Sequence, residues 1–123
     1  MLQNFTADEF RALVEEALQN LPDQFARKLQ NVEVFVKDRP SKETIEKLKV
    51  SRDSLFGLYQ GVPLRRKSVW RTRPAPDRIT IFKQALLKVS SDRENLRRRI
   101  RDVVIHEIAH HFGLTHPPGE DFR

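Results

Sequence analysis

The four histidines of this chain all fall within its last 18 residues. They stand in the string His106-Glu107-Ile108-Ala109-His110-His111-Phe112-Gly113-Leu114-Thr115-His116. His106 and His110 are spaced i, i+4, so on a helix both imidazoles leave the same face, one turn apart. Two nitrogens placed in this way can reach one tetrahedral zinc ion at about 2.0–2.1 Å. Glu107 projects about 100° further around the helix and leans toward a water held by that ion. Zinc lowers the pKa of such a water to about 7 and polarises a scissile carbonyl. Glu107 then takes the proton and passes it to the leaving amine.

Two ligands are too few, because a catalytic zinc usually takes three from the protein and a fourth from solvent. Gly113 allows the chain to turn at the helix end, and His116 follows three residues later. His116 is therefore the expected third ligand. Glu120 or Asp121 replaces it if the turn at Pro117-Pro118-Gly119 brings the chain back. His111, five positions after His106, lies off the ligand face and reads as a packing residue. Tyr59 is a candidate for supporting an oxyanion, although an aromatic in a strand is usually core.

A helix must carry these residues, and the sequence supplies its ends. Ser91-Asp92-Arg93-Glu94 has the form of a capping box, and the helix it opens is predicted to run to Phe112. Gly113 is the expected stop, since glycine tolerates the left-handed backbone used there. The first half of this helix, with Arg93, Arg97, Arg98, Arg99 and Arg101, reads as solvated, and the second half as buried. A second capping box, Thr6-Ala7-Asp8-Glu9, opens an amphipathic helix over 7–20. Pro22 ends that helix or opens a short one through Leu29.

Val32, Val34 and Val36 alternate with Glu33, Phe35 and Lys37, the pattern of a strand with one buried face. A brief helix is expected at Lys42 to Leu48, a second strand at Leu55 to Tyr59 punctuated by Gly57, and a third at Ile79 to Phe82. A short helix at Lys83 to Val89 follows. The stretch Leu64 to Pro76, with five basic residues around Trp70, reads as an exposed loop or hairpin.

The length of 123 residues predicts one domain, 1–123, with a single core. Cysteine is absent, which excludes disulfides and thiolate ligation and leaves His, Asp and Glu to hold any metal. No signal-peptide pattern opens the chain and no apolar run has membrane-spanning length, so a cytoplasmic address is expected. The net charge of +6 hints at an anionic partner, but 17 acidic residues are interspersed with 23 basic ones. That mixture is also how a densely charged surface looks.

The string His106 to His116 resembles the H-E-x-x-H-x-x-G-x-x-H/D pattern of zincin metallopeptidases. Further stretches resemble the minimal zincin family of small bacterial zinc metallopeptidases. They are Asn31 to Val36, Leu55 to Leu64, Pro76 to Phe82 and Val103 to Gly113, and the resemblance extends from about residue 5 to residue 116. It implies an α+β fold in which a small mixed sheet of three or four strands packs against an N-terminal helix and a long C-terminal active-site helix. By motif position it implies His106, His110 and His116 as zinc ligands and Glu107 as general base. The third ligand is often aspartate in this family, whereas His116 is the metzincin choice. A metzincin also needs a methionine after that ligand, and the only methionine here is Met1. In zincins an edge strand receives extended peptide by strand addition, and residues 55–60 or 79–82 are the expected edge.

The expected function is zinc-dependent hydrolysis of peptide bonds in a peptide or protein substrate, with one zinc ion. One alternative is a metal-dependent ribonuclease or nucleic-acid-binding protein, because rRNA-maturation endoribonucleases use a comparable histidine spacing and the loop around Trp70 is basic. Glu107 disfavours it, since that nuclease pattern has glycine after its first histidine. A zinc-binding module without catalysis is the other alternative.

Overall fold

A computed structural model describes residue 2 and residues 5–61 and 76–113. The first helix, α1 (Ala7–Leu18), starts at the expected capping box. The Thr6 hydroxyl accepts from the Glu9 N–H at 3.1 Å, and the Glu9 carboxylate accepts from the Thr6 N–H at 2.9 Å. Those bonds, the backbone one foremost, hold the Glu9 carboxyl below its ordinary pKa. α1 buries Phe10, Leu13, Val14 and Ala17 on one face. Pro22 then caps a separate short helix, α2 (Asp23–Leu29), where its missing N–H costs nothing.

Strand β1 (Val32–Lys37) alternates half-buried and exposed residues as its sequence does. Helix α3 (Lys42–Leu48) is capped by the Ser41 hydroxyl, which accepts from the Thr44 N–H at 3.1 Å. After it come β2 (Gly57–Gln60), β3 (Asp77–Phe82), α4 (Lys83–Val89) and α5 (Arg93–Phe112). β2 begins two residues later than Leu55, the expected start. The basic loop expected around Trp70 lies outside the described residues.

The sheet has the order β1-β3-β2, with β1 parallel and β2 antiparallel to β3. Val34 pairs with Ile79, Val36 with Ile81, Gly57 with Ile81 and Tyr59 with Ile79. Paired residues point to the same side, so these valines, isoleucines, Gly57 and Tyr59 share one face. α5 packs against β2 and β3, and α1, α2 and α4 pack in turn against α5. The fold is α+β, as expected, with three strands among the described residues. Residues 79–82 are not an edge: β3 is the central strand, and among the described residues β2 is the edge beside α5.

The core follows from the four-residue spacing of Leu96, Ile100 and Val104, joined by Ile105 and Ile108, all fully buried on α5. They meet Phe10, Leu13, Phe25, Ile79, Ile81 and Leu86 in one cluster. Each such side chain contributes about 1.5–3 kcal/mol by leaving water. The second half of α5 buries Val104, Ile105, Ile108 and Ala109, as expected, but burial neither begins nor ends there. Its apolar stripe is already sealed at Leu96, and its last turn opens, with His110, His111 and Phe112 exposed.

Two further readings are corrected. The cap of α5 is Asp92 rather than Ser91. The Asp92 carboxylate accepts from the Asn95 N–H at 2.7 Å, while the Asn95 side chain accepts from the Ser91 N–H at 3.0 Å. The arginines of the first half are only partly solvated. Arg93 donates to Glu16 at 2.9 Å, Arg97 pairs with Glu94, and Arg101 donates to the Asn20 carbonyl at 3.2 Å. The contacts of Arg93 and Arg101 fasten the polar side of α5 to α1 and the turn after it.

Helix and sheet approach closely at Gly57. A Cβ added there would stand 2.5 Å from Val103 Cγ1 and 3.3 Å from the Thr80 carbonyl oxygen. Gly57→Ala is therefore expected to cost about 1–3 kcal/mol of stability by overpacking. Val103→Ala in the same chain relieves the clash, so the double variant is more stable in urea denaturation than the two single effects sum to. Asp92→Ala is expected to cost about 1 kcal/mol as a lost cap. Ser91→Ala leaves the denaturation midpoint nearly unchanged, because only the Ser91 backbone takes part.

Candidate metal centre

His106 and His110 project from the last turns of α5, and their ring centroids lie 4.2 Å apart with planes tilted by 40°. That is the stacking expected for i, i+4 imidazoles on a helix. His106 is half-buried, with Nδ1 shut off from solvent, whereas His110 is exposed. His106 lines the cleft, and its ring lies beside that of His110.

α5 stops at Gly113, which is left-handed at φ 67°, with its N–H donating to the Ala109 carbonyl. The expected third ligand, His116, lies outside the described residues, as do Glu120 and Asp121. Among the described residues, no group of three His, Asp or Glu side chains could hold a metal ion. The structure brings together His106, Glu107 and His110 and is silent on the third position.

Glu107 is half-buried and is held by backbone. The Tyr59 N–H donates to its Oε1 at 2.9 Å. The sheet register explains why that N–H is available. The Phe82 N–H bonds the Phe56 carbonyl at 2.9 Å, so by antiparallel alternation Leu58 and Gln60 face β3 with their backbone groups. Those of Gly57 and Tyr59 point to the outer edge of β2. Burial pushes the Glu107 carboxyl above its ordinary pKa, while the Tyr59 N–H and the nearby His110 oppose the rise. The net direction is upward, because burial outweighs the two opposing influences.

Tyr59 does not offer its phenol as an oxyanion donor. Its hydroxyl donates to Asp77 Oδ2 at 2.8 Å across the sheet. Burial, the Asp77 hydrogen bond and the Asp77 charge together raise the phenol's pKa and keep it protonated. The His111 ring stacks on the Tyr59 ring at 3.9 Å, and its Nε2 lies 4.0 Å from Asp77 Oδ2. Phe112 meets the Tyr59 ring edge-on at 5.9 Å. His111 is thus a packing residue, as expected. It ties the end of α5 to the first residue of β3. Asp77 was missed by sequence reasoning, because Pro76-Asp77 reads as turn punctuation.

A cleft of about 270 Å³ adjoins Glu107 and His106 and runs back along α5. Leu55, Phe56 and Val103 give it apolar walls, and Arg99 and Asp102 stand further up the helix. The sequence placed Arg99 on a solvated face and gave no reason to expect it in a cleft.

The donor set suits zinc. Two imidazoles are borderline-soft ligands of the kind zinc prefers, and a chain without cysteine offers no thiolate to redirect the choice. The adjacent carboxylate is turned to the β2 backbone rather than spent on an arginine.

The comparisons with known proteins bear on this geometry. The family model of zincin-like metallopeptidases matches residues 29–118, which span β1 to α5 and the histidine string. A solved structure of a conserved hypothetical protein from Thermo thermophilus is similar, with a TM-score of 0.55 and 23% identity. The likeness covers 88% of this chain and 94% of that one, and at such identity it concerns the fold alone. No curated protein matches the chain. Among the described residues, no helix is long and apolar enough to cross a membrane. With a match that takes in most of its length, including the helix that carries His106, Glu107 and His110, the chain belongs to the zincin-like metallopeptidases.

Proposed function

We propose that this chain hydrolyses peptide bonds, with His106, His110 and His116 holding one zinc ion and Glu107 acting as general base. The observation that carries the reading is the Glu107 carboxylate, which is fastened to the Tyr59 N–H at 2.9 Å beside the His106–His110 ring pair. A carboxylate kept half-buried next to two imidazoles, and in no ion pair among the described residues, suits proton transfer better than packing.

A bound zinc supplies Lewis acidity, polarising the substrate carbonyl and acidifying water. The chain's own groups do the rest. Glu107 orients the attacking water through its carboxylate and takes its proton as the oxygen closes on the carbonyl carbon. It then delivers that proton to the amine nitrogen as the C–N bond breaks. The Tyr59 N–H keeps the carboxylate from rotating away from the water. Extended substrate is read as lying along the outer edge of β2, where the backbone groups of Gly57 and the carbonyl of Tyr59 point. The ribonuclease reading finds less support, since Arg93 and Arg97 on α5 are already paired with Glu16 and Glu94.

Peptide-library or casein cleavage by the zinc-loaded protein is expected to fall about 10²–10⁴-fold in Glu107→Gln, with zinc content unchanged. His110→Ala and His116→Ala are each expected to weaken zinc binding, so that less zinc survives dialysis in elemental analysis. RNA cleavage that survives Glu107→Gln, or full peptide cleavage after chelation, contradicts the proposal.

A further inference from the structure

Arg99 stands two turns before His106 on α5, about 10 Å up the helix axis. It lines the same cleft as Glu107 and His106 and is half-buried there. Its Nε donates to a neutral partner, the Asn95 side-chain oxygen, at 3.0 Å, and among the described residues it makes no ion pair. Its neighbours on the helix differ: Arg93 and Arg97 each meet a glutamate, and Arg101 pairs with Asp102 at 3.4 Å. Asp102, the other charge on the upper wall, is thus already engaged. This half-buried guanidinium shares its cleft with Leu55, Phe56 and Val103 and, among the described residues, forms no ion pair with a carboxylate. An anionic group brought into the cleft would offset the cost of its partial burial through a charge-assisted, two-pronged hydrogen bond.

We infer that this cleft is the specificity subsite of the proposed peptidase, taking a short apolar stem that ends in a carboxylate, which Arg99 binds. The inference rests on the peptidase reading for what it selects. The volume of about 270 Å³ suits one side chain rather than a stretch of peptide. The separation of about 10 Å from the reacting end is what an arginine and a facing glutamate side chain bridge between them. The carboxylate therefore belongs to a residue close to the scissile bond. Two sources share this chemistry: an acidic side chain, or the C-terminal carboxylate of a peptide whose last residue fills the cleft.

The test reads binding apart from turnover. Fluorescently labelled peptides are titrated by anisotropy against the zinc-loaded full chain carrying Glu107→Gln. One series compares glutamate with glutamine at successive positions in end-blocked peptides. The other compares free with amidated C-termini in peptides lacking acidic residues. In at least one pair, the carboxylate form is expected to bind about tenfold more tightly than its amide twin. Adding Arg99→Gln brings that ratio close to one, and Arg99→Lys keeps part of it. If Arg99→Gln does not fold, the reduced ratio of Arg99→Lys decides. Twins that bind alike, a preference that survives loss of the guanidinium, or no peptide binding at all overturns the inference. Cleavage of the same peptides by the unaltered chain separates the two ideas. Cleavage without carboxylate preference removes the subsite alone, whereas carboxylate-selective binding without cleavage supports the subsite and removes the peptidase reading.

Discussion

Gly57 lets α5 lie against the edge of the sheet at a distance that no side chain at that position would permit. That approach puts the Tyr59 N–H, the next outward-facing donor along the strand, within 2.9 Å of the Glu107 carboxylate. A single backbone hydrogen bond thereby fixes a half-buried acid at the mouth of a cleft. Remove the close approach, and the carboxylate loses the donor on the sheet that holds it. The His106–His110 pair needs only a helix, but the orientation of the acid beside it needs helix and sheet together.

The same constraint accounts for how α5 divides its length. Its apolar stripe, from Leu96 through Ile108, is sealed under α1, β3 and α4. Its final turn clears that cover and exposes His110, while His111 and Phe112 fold back onto Tyr59. The Tyr59–Asp77 hydrogen bond continues the connection to the start of β3. Tyr59 therefore works twice: its ring anchors the helix end, and its N–H holds the acid. Rigid elements on both sides of a reactive group are the usual condition for precise positioning.

Much of this was legible in the residues. Thr6 with Glu9, Pro22 and Gly113 mark helix ends by their own chemistry, and the alternation of Val32, Val34 and Val36 marks β1. The i, i+4 histidines declared their common face. What stayed hidden depends on backbone or on partners distant in the chain. The Tyr59 N–H has no side-chain signature, and its outward direction follows only from the register of β2 on β3. The rank of β3 as central strand is likewise a matter of pairing, which is why residues 79–82 read equally well as an edge. Asp92 competes with Ser91 for the same cap, and the better acceptor placement wins by one residue. Arg99 sits in a run of arginines that looks uniformly solvated, and only the fold separates it from those that meet acids. Gly57 did carry a signal, since glycine inside a strand often marks close approach of another element.

X-ray absorption on the zinc-loaded chain probes the metal centre most directly, because it reports the ligands without reference to activity. A four-coordinate nitrogen and oxygen shell at about 2.0–2.1 Å is expected, with the multiple scattering of imidazole rings, reduced by His110→Ala. A shell of oxygens alone, or one unchanged by that substitution, would contradict the convergence of these histidines on one ion.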